Sequence, residues 1–548
     1  MYSVDASGAQ ILIGYNEVFP GEMPDLIKEI EDLNMHKTIS IICELIRVRD
    51  AKMDPIIILG REFRIPFETV LKKIMCDIDP KSPEEMASNP LLRKDIHIIS
   101  VQMLLILLKK IIQYGNYETM DRTNYEVSMD DYKKIIQLQL VVVEELQLKH
   151  SEEIDTNHFL YSTYHFNYQR NIAHEFLRMY YMLEKVSRDK SNFDEDVQRE
   201  YKDYYTNFTE KYKFTPTQYS TLLFWELRTY YTDVNGLIYD TMWQNIEIVY
   251  GKTELKELAT NVISTLSQLI ENYKEWANES ENQEWNFSKF FEFPFIVDSK
   301  GNYISLSDIT LRNAFFEKIF WLIRNCYPME DSRAMDFFGR LFEKYIQDLT
   351  QDATKGDYVY IKEFKFGRKN NKSSDAYIRK GTKLLVVEAK GFSVLLDCMI
   401  RNERIEANND KLFVNPVLQA DSCLAAVMEE KLEFTGVEDA YIVSVTMDNI
   451  NAVPNYYNVI HSTIKERKKS EKSKYFFNFN IEEYEMLMYL VEHNCDVFKL
   501  LKDYYENIRL KPFGTYLQEN LPEIGMTSFM EKYYKEVSQH MKEMYFKE

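Results

Sequence analysis

The sequence predicts an α+β protein of several domains, with a large, mostly α-helical N-terminal region, an α/β core and a helical C-terminal segment. Three observations support this fold class. The 548 residues exceed what one hydrophobic core organises, which suggests two to four domains. Glycine (16) and proline (14) are scarce, and this favours long helices. Between residues 357 and 391 the apolar pattern changes to the alternation and short apolar runs typical of strands.

The predicted regions follow these changes of pattern. Residues 1–295 are predicted to form a mostly helical recognition or regulatory region. Pro294 and the turn DSKGN at 298–302 interrupt the helical pattern, so a boundary is placed there. Residues 296–475 carry the predicted α/β core. From there to residue 548 the chain returns to acidic, aromatic helix, and 476–548 are predicted as a separate helical segment.

Composition restricts the classes of function. The formal net charge is −20, so the molecule repels polyanions at long range and could hold a nucleic acid only through a local basic patch. The six cysteines include no CxxC pair, which favours a reducing compartment over a disulfide framework or zinc ribbon. The first residues lack the features of a signal peptide. The most apolar segment, near 96–112, contains Gln102 and a lysine pair, so we predict a buried core helix, no membrane partner and a cytoplasmic protein.

The predicted core has a definite order of elements. The pattern predicts a helix, then three strands, then a helix and a fourth strand. The predicted elements are a helix at 333–350, strands at 357–367, 376–379 and 383–391, a helix at 415–432 and a strand at 439–448. The strand KLLVVEAKG is continuously apolar until its end, as expected when both faces of a sheet are covered. The segment therefore places charged residues at the end of a buried strand.

Two carboxylates and a lysine define the candidate site. Side chains alternate along a strand, so Glu388 and Lys390 share one face. A hairpin at 379–383 would bring Asp375 across from them. Buried charges are costly unless they are paired or hold a cation. Two carboxylates together with the backbone carbonyl of Ala389 are oxygen ligands that suit Mg²⁺.

The pattern D-x(12)-E-A-K, behind a helix that bears a carboxylate, resembles the PD-(D/E)XK nuclease superfamily, whose members have a restriction-endonuclease-like fold. The resemblance covers roughly residues 335–450. It implies that Asp375 and Glu388 hold Mg²⁺, with Mn²⁺ as a substitute, and that Lys390 serves the attacking water. Glu343 matches the accessory metal ligand on the preceding helix, and Gln419 matches a polar catalytic residue on the following helix.

The sequence departs from the family pattern at two positions. Ser374 stands where the family commonly has proline before the aspartate. Cys423 stands four positions after Gln419, where one subgroup has tyrosine. A rival ExK motif, Glu363–Lys365, lies on the predicted strand 357–367, and its alternating polarity indicates an exposed or edge face.

The resemblance implies a PD-(D/E)XK-type phosphodiesterase, a metal-dependent nuclease that cleaves nucleic acid, with DNA favoured over RNA. The layout resembles bacterial restriction or antiphage-defence effectors. The alternative is a catalytically inactive nuclease-fold protein that binds nucleic acid or serves as a protein-interaction scaffold. A partner subunit, an activating trigger and a homo-oligomer are all compatible with the sequence. Endonuclease and exonuclease activity are not distinguished, and neither is sequence specificity.

Local charge favours a nucleic-acid contact near this motif. Residues 361–383 contain eight basic and two acidic side chains, and basic clusters of this kind bind phosphates. The predicted nucleic-acid-binding residues are Lys365, Arg368, Lys369, Lys372, Arg379 and Lys380. A second basic cluster, KERKKSEKSK at 465–474, is predicted to be a solvated loop.

One further motif is considered and set aside. His174–Glu175 begins like the metal-binding helix HExxH, but Arg178 occupies the position of the second histidine. We therefore predict that His174 is a core or surface residue and no metal ligand.

Overall fold

The computed structural model describes most of the chain, in two compact units. Unit 1 comprises residues 1–154 and 222–318, and unit 2 comprises residues 155–221 and 319–548. The described residues are 11–19, 21–51, 56–58, 61–63, 67–77, 96–122, 124–149, 166, 171–232, 237–238, 253–298, 300–392, 398, 400, 404–428, 432–447, 454–507, 511–521 and 523–545. The chain thus divides at other positions than the boundaries predicted after residues 295 and 475.

The described elements confirm the mixed α+β class. The helices are α1 (Tyr15–Val18), α2 (Leu26–Glu31), α3 (Met35–Ala51), α4 (Phe67–Met75), α5 (Val101–Tyr114), α6 (Met129–Lys149), α7 (Ile172–Met179), α8 (Glu195–Gln198), α9 (Tyr204–Tyr212), α10 (Pro216–Thr232), α11 (Thr253–Leu266), α12 (Glu271–Glu279), α13 (Ser288–Glu292), α14 (Asp308–Asn313), α15 (Ile319–Arg324), α16 (Asp336–Ala353), α17 (Ile405–Asn409), α18 (Asn415–Val427), α19 (Pro454–Arg467), α20 (Ile481–Glu492), α21 (Val497–Asn507), α22 (Phe513–Asn520) and α23 (Ser528–Tyr545).

The strands are short except in unit 2. They are β1 (Ile11–Leu12), β2 (Ile56–Ile58), β3 (Arg61–Phe63), β4 (Ile96–His97), β5 (Leu237–Ile238), β6 (Ser267–Leu269), β7 (Phe295–Val297), β8 (Tyr303–Ser305), β9 (Val359–Lys362), β10 (Lys365–Phe366), β11 (Asn371–Lys372), β12 (Ala376–Lys380), β13 (Lys383–Lys390), β14 (Asp439–Thr446) and β15 (Ser473–Asn480).

Unit 1 is built around the apolar helix α5. As predicted for the segment near 96–112, this helix is buried, and it packs against α3, α6 and α12. Its buried Lys109 donates hydrogen bonds to the carbonyls of Ser280 and Gln283, both at 2.9 Å. The cost of burying the ammonium is thus offset by backbone acceptors. The predicted turn at 298–302 joins β7 and β8 in an antiparallel hairpin, inside unit 1.

A five-stranded mixed sheet forms the centre of unit 2. The strand order is β15-β14-β13-β12-β9. β9, β12 and β13 are antiparallel neighbours, whereas β13, β14 and β15 run parallel. Parallel neighbours need crossover connections, and α18 and α19 lie in the two connections. Six consecutive residues of β13, Leu384 to Ala389, are buried, which requires cover on both faces of the sheet.

The helix before the sheet has the predicted apolar face. In α16 the side chains of Phe338, Phe342, Tyr345 and Leu349 are all buried, and the helix packs against β13, β12 and β9. The order α16, three strands, α18 and β14 follows the predicted order. The predicted strand at 357–367 is interrupted, because β9 ends at Lys362 and β10 pairs with β11 instead.

Candidate active site

The hairpin between β12 and β13 brings the predicted carboxylates together. Its register pairs Ala376 with Val387, so Asp375 lies opposite Glu388 where the hairpin strands meet α16. The turn is closed by Gly381, whose φ of 60° suits glycine best. Oδ2 of Asp375 accepts a hydrogen bond of 2.7 Å from the backbone N–H of Ala389. The carboxylate is therefore fixed against the end of β13.

Lys390 and Glu388 form an ion pair on the same face of β13. The Lys390 Nζ lies 2.9 Å from Oε1 of Glu388. The other oxygen, Oε2 of Glu388, is buried and has no well-aligned hydrogen-bond partner among the described residues, and the same holds for Oγ of Ser374. The Ser374 hydroxyl nevertheless lies close enough to the Glu388 carboxylate to lower its pKa. A buried carboxylate oxygen without a well-aligned donor is costly. It is therefore a candidate ligand for a cation.

The electrostatics show an excess of buried negative charge. Burial raises the pKa of Asp375 well above its usual range, and the neighbouring carboxylates of Glu388 and Glu343 raise it further. Burial also raises the pKa of Glu388, although Lys390 opposes this. For Lys390, burial acts to lower the pKa, but the surrounding carboxylates outweigh it and raise the pKa. Asp375 and Glu388 thus share one ammonium group, with further negative charge from Glu343 nearby, and an added cation would relieve their repulsion.

Helix α16 places Glu343 close to the end of β13. A Cβ atom on Gly391 would lie 3.2 Å from Cα of Gly339 and 3.2 Å from Cβ of Phe342. Only glycine allows this close approach without displacing a neighbour. The Glu343 carboxylate is held by both its oxygens to Arg340, at 3.1 and 2.9 Å.

The carboxylates of Asp375 and Glu388 suit a cation that takes few ligands from the protein. Within the described ranges, no group of three or more His, Cys, Asp or Glu side chains is arranged to hold a metal ion. Mg²⁺ commonly keeps several waters and takes only one or two carboxylates from the protein. Asp375 and Glu388, opposite each other in the hairpin, are two such carboxylates, and the Ala389 carbonyl as a further ligand stays a prediction. Glu343 adds charge from nearby, and its role as an accessory ligand stays a prediction.

On α18 the residue that approaches the site is Cys423. Gln419 is exposed, and no described hydrogen bond joins it to Asp375 or Glu388, so its catalytic role stays a prediction. One turn further, Cys423 is buried, and its Sγ lies 3.6 Å from the hydroxyl of Tyr377. That hydroxyl accepts a hydrogen bond of 3.1 Å from the N–H of Ser374.

Most of the predicted phosphate-binding residues have protein partners in the structure. Lys365 pairs with Asp196, Lys372 with Glu363 at 3.2 Å, and Lys380 with Asp357 at 3.5 Å. Arg379 donates to the carbonyls of Gly381, Glu433 and Thr435. Arg368 and Lys369 are exposed in the turn between β10 and β11.

The location of Arg379 and Lys380 separates them from the candidate site. Both lie at the end of β12 that is distant from Asp375. At the usual rise per strand residue, Lys380, five residues along, is about 16 Å from Asp375. The hydrogen bonds of Arg379 tie the β12–β13 turn to the loop at 432–436, which is a structural task. Its predicted contact with nucleic acid stays a prediction.

The rival motif at Glu363–Lys365 does not form a second strand-end pair. Glu363 lies between β9 and β10 and pairs with Lys372. Lys365 is exposed and points to a different acid, Asp196. The two residues therefore do not reproduce the Glu388–Lys390 arrangement.

His174 and Arg178 belong to a buried ion cluster around Glu485. Arg178 Nη1 lies 2.8 Å from Oε1 of Glu485, and His174 Nδ1 lies 2.9 Å from its Oε2. The hydroxyl of Tyr345, on α16, donates to the same carboxylate at 2.7 Å. His174 is therefore a structural residue, as predicted. The cluster joins α7, α16 and α20, and so it supports the helix that carries Glu343.

Comparison with known proteins adds no assignment. No protein-family model matches the chain, no curated protein matches it, and no solved structure matches it. Among the described residues, every helix is too short or too polar to span a lipid bilayer.

Proposed function

We propose that unit 2 is a metal-dependent nuclease that hydrolyses phosphodiester bonds of nucleic acid, DNA in preference to RNA. The observation that carries the proposal is the placement of Asp375 opposite Glu388 at the end of a buried strand, with Lys390 on the same face. The unpartnered oxygen of Glu388 adds support. The order of strands and helices in unit 2 is also compatible with the fold that the PD-(D/E)XK resemblance implies.

The chain's own residues would have distinct tasks. Asp375 and Glu388, with the Ala389 carbonyl, would hold Mg²⁺ or Mn²⁺. When bound, the ion would polarise the phosphodiester and lower the pKa of a water molecule. Lys390, whose ammonium lies 2.9 Å from Oε1 of Glu388, would orient the attacking water and offset the charge of the transition state.

The preference for DNA and a place among bacterial restriction or antiphage effectors rest on the family resemblance. The helical unit 1 would then recognise a trigger or regulate the nuclease.

A cleavage assay with a matched lysine control tests the proposal. Purified protein is incubated with plasmid DNA, single-stranded DNA and RNA in the presence of Mg²⁺, Mn²⁺ or EDTA. We expect metal-dependent cleavage that falls at least about 100-fold in Lys390→Ala, the usual loss for one transition-state donor. Lys383→Ala, at the other end of the same strand, should cleave normally. Full cleavage by Lys390→Ala would refute the assignment.

Metal binding separates the nuclease from the inactive scaffold. We expect Mn²⁺ to bind the wild type in calorimetry and to raise its melting temperature, and to do neither for Asp375→Asn. Asparagine can still accept the hydrogen bond from Ala389, so the metal-free variant should fold. No cleavage together with no Mn²⁺ binding by the wild type would favour the scaffold.

A further inference from the structure

An acidic segment of unit 2 lies against basic side chains beside the candidate site. The segment, residues 194–200 (DEDVQRE), has four acidic side chains and one basic, and it contains the short helix α8. It is held in place by apolar residues at its start. Phe193 and Val197 are buried, and the Phe193 ring packs against that of Phe337 on α16 at 5.0 Å between centroids.

Three carboxylates of this acidic segment are paired with three different elements of the nuclease-like core. The pairs are Asp194 with Lys362 at 3.6 Å, Asp196 with Lys365, and Glu200 with Arg340 at 2.8 Å. The cations come from β9, β10 and α16 respectively. Arg340 also binds Glu343, which links the segment directly to the candidate site.

Part of the acidic segment and two of the three cations border one cleft. The cleft, of about 110 Å³, is lined by Asp194 and Val197 of the segment, by the cations Arg340 and Lys362, and by the carboxylates of Glu343, Asp348 and Glu363. A substrate phosphate that approached Glu343 from this direction would meet Arg340 and Lys362. In the structure these two cations pair instead with Asp194 and Glu200 of the acidic segment.

We propose that residues 194–200 mask the phosphate-binding cations of the site, so that the segment competes with the backbone of nucleic acid for Arg340, Lys362 and Lys365. The inference rests on the proposed function, and it identifies the direction from which nucleic acid would reach the site. The three ion pairs involve partly exposed side chains, and exposed pairs are weak. A polyanion with closely spaced phosphates could therefore replace the carboxylates without unfolding the core.

Neutralising the acidic segment tests the masking. The triple variant Asp194→Asn/Asp196→Asn/Glu200→Gln is made in the Lys390→Ala background and assayed in EDTA, so that binding is measured without cleavage. The matched control, Glu506→Gln/Glu519→Gln/Glu531→Gln, removes the same charge from other exposed ion pairs of unit 2. The probes are a fluorescein-labelled 30-base-pair duplex DNA and a single-stranded RNA of equal length, and circular dichroism confirms folding.

We expect the triple variant to bind duplex DNA more tightly than the parent and the control. Three newly available cations should steepen the salt dependence of log K by about 2.7, or 0.9 for each phosphate contact. Between 50 and 200 mM salt, the variant should therefore lose about 40-fold more affinity than the parent.

Each outcome decides the inference. If the triple variant and the control bind DNA with equal affinity, the change reflects net charge alone and masking is overturned. Weaker binding by the triple variant, or no binding of either probe, would overturn masking as well. Unchanged affinity together with cleavage that depends on Lys390 would leave the nuclease standing without the mask. Tighter, steeper binding without any metal-dependent cleavage by the wild-type protein would keep the mask and remove the nuclease.

Discussion

The buried ion cluster around Glu485 offers a quantitative test of how unit 2 supports its site. The perturbation is Glu485→Gln, which keeps the size of the side chain and its ability to accept from Tyr345. It removes the charge that faces Arg178 at 2.8 Å, where the two side chains are 3% and 2% exposed. Arg178 would then be a buried cation left with the carboxylates of Glu482, at 3.5 Å, and Glu175.

Two arguments give a similar magnitude for the free energy of unfolding that Glu485→Gln removes. Although burial opposes it, Arg178 together with His174 lowers the pKa of Glu485 to about 2, roughly two units below the ordinary value, which corresponds to about 3 kcal/mol. Removing one partner of a buried ion pair generally costs about 3–5 kcal/mol. Since Glu482 remains near Arg178, we expect about 3 kcal/mol, or a fall in melting temperature of about 6 °C.

The assay is thermal unfolding of wild type, Glu485→Gln and an exposed control, Glu506→Gln, from pH 8 to pH 2. Because the folded pKa of Glu485 is lowered, its contribution is complete above about pH 4.3 and is lost as the pH falls towards 2. The difference between wild type and Glu485→Gln should shrink over that range. The control should change stability by less than about 1 kcal/mol. A loss below about 1 kcal/mol at pH 7, or a difference that is independent of pH, would refute the reasoning.

Two further substitutions test the geometry of the candidate site. In Gly391→Ala the new methyl group meets α16 at 3.2 Å and displaces the helix that carries Glu343, so we expect about a 3–10-fold fall in kcat. Gly339→Ala, whose methyl group would meet nothing within 4 Å, should not reduce kcat, and equal kcat values for the two variants would contradict this account. Arg379→Ala removes three exposed hydrogen bonds to carbonyls, which water can replace, so we expect about 1 kcal/mol of destabilisation or less and an unchanged salt dependence of DNA binding. If the slope of log K against log salt concentration falls by about 0.9 in magnitude, Arg379 instead contacts a phosphate.

Local pattern was enough to predict much of the core of unit 2. The apolar spacing in α16, the hairpin closed at Gly381 and the buried run of β13 are properties of neighbouring residues, and the structure has all three. The alignment of Asp375 with Glu388 followed from the length of that hairpin. Such features depend on a few consecutive residues, so they can be predicted from a single sequence without knowledge of its long-range contacts.

Features that depend on distant residues were missed. The prediction that 476–548 are wholly helical is wrong at its start, because residues 473–480 form β15. This strand depends on parallel pairing with the distant strand β14, which the local pattern did not reveal. The ion pair of Lys365 with Asp196 joins residues 169 positions apart, which no local pattern reveals. The helix that carries Gln419 was predicted correctly, and the catalytic role of Gln419 stays a prediction.

The division of unit 2 into two stretches of chain has a consequence for its synthesis. Arg178 and Glu485 are 307 positions apart, and the whole second stretch of unit 1, residues 222–318, is made between them. At typical translation rates of about 5–20 residues per second, α7 leaves the ribosome roughly 15–60 s before its partner on α20 exists. During that interval its apolar and charged face has no native partner on α20, so chaperones that bind nascent chains are expected to act on the segment from 155 to 221.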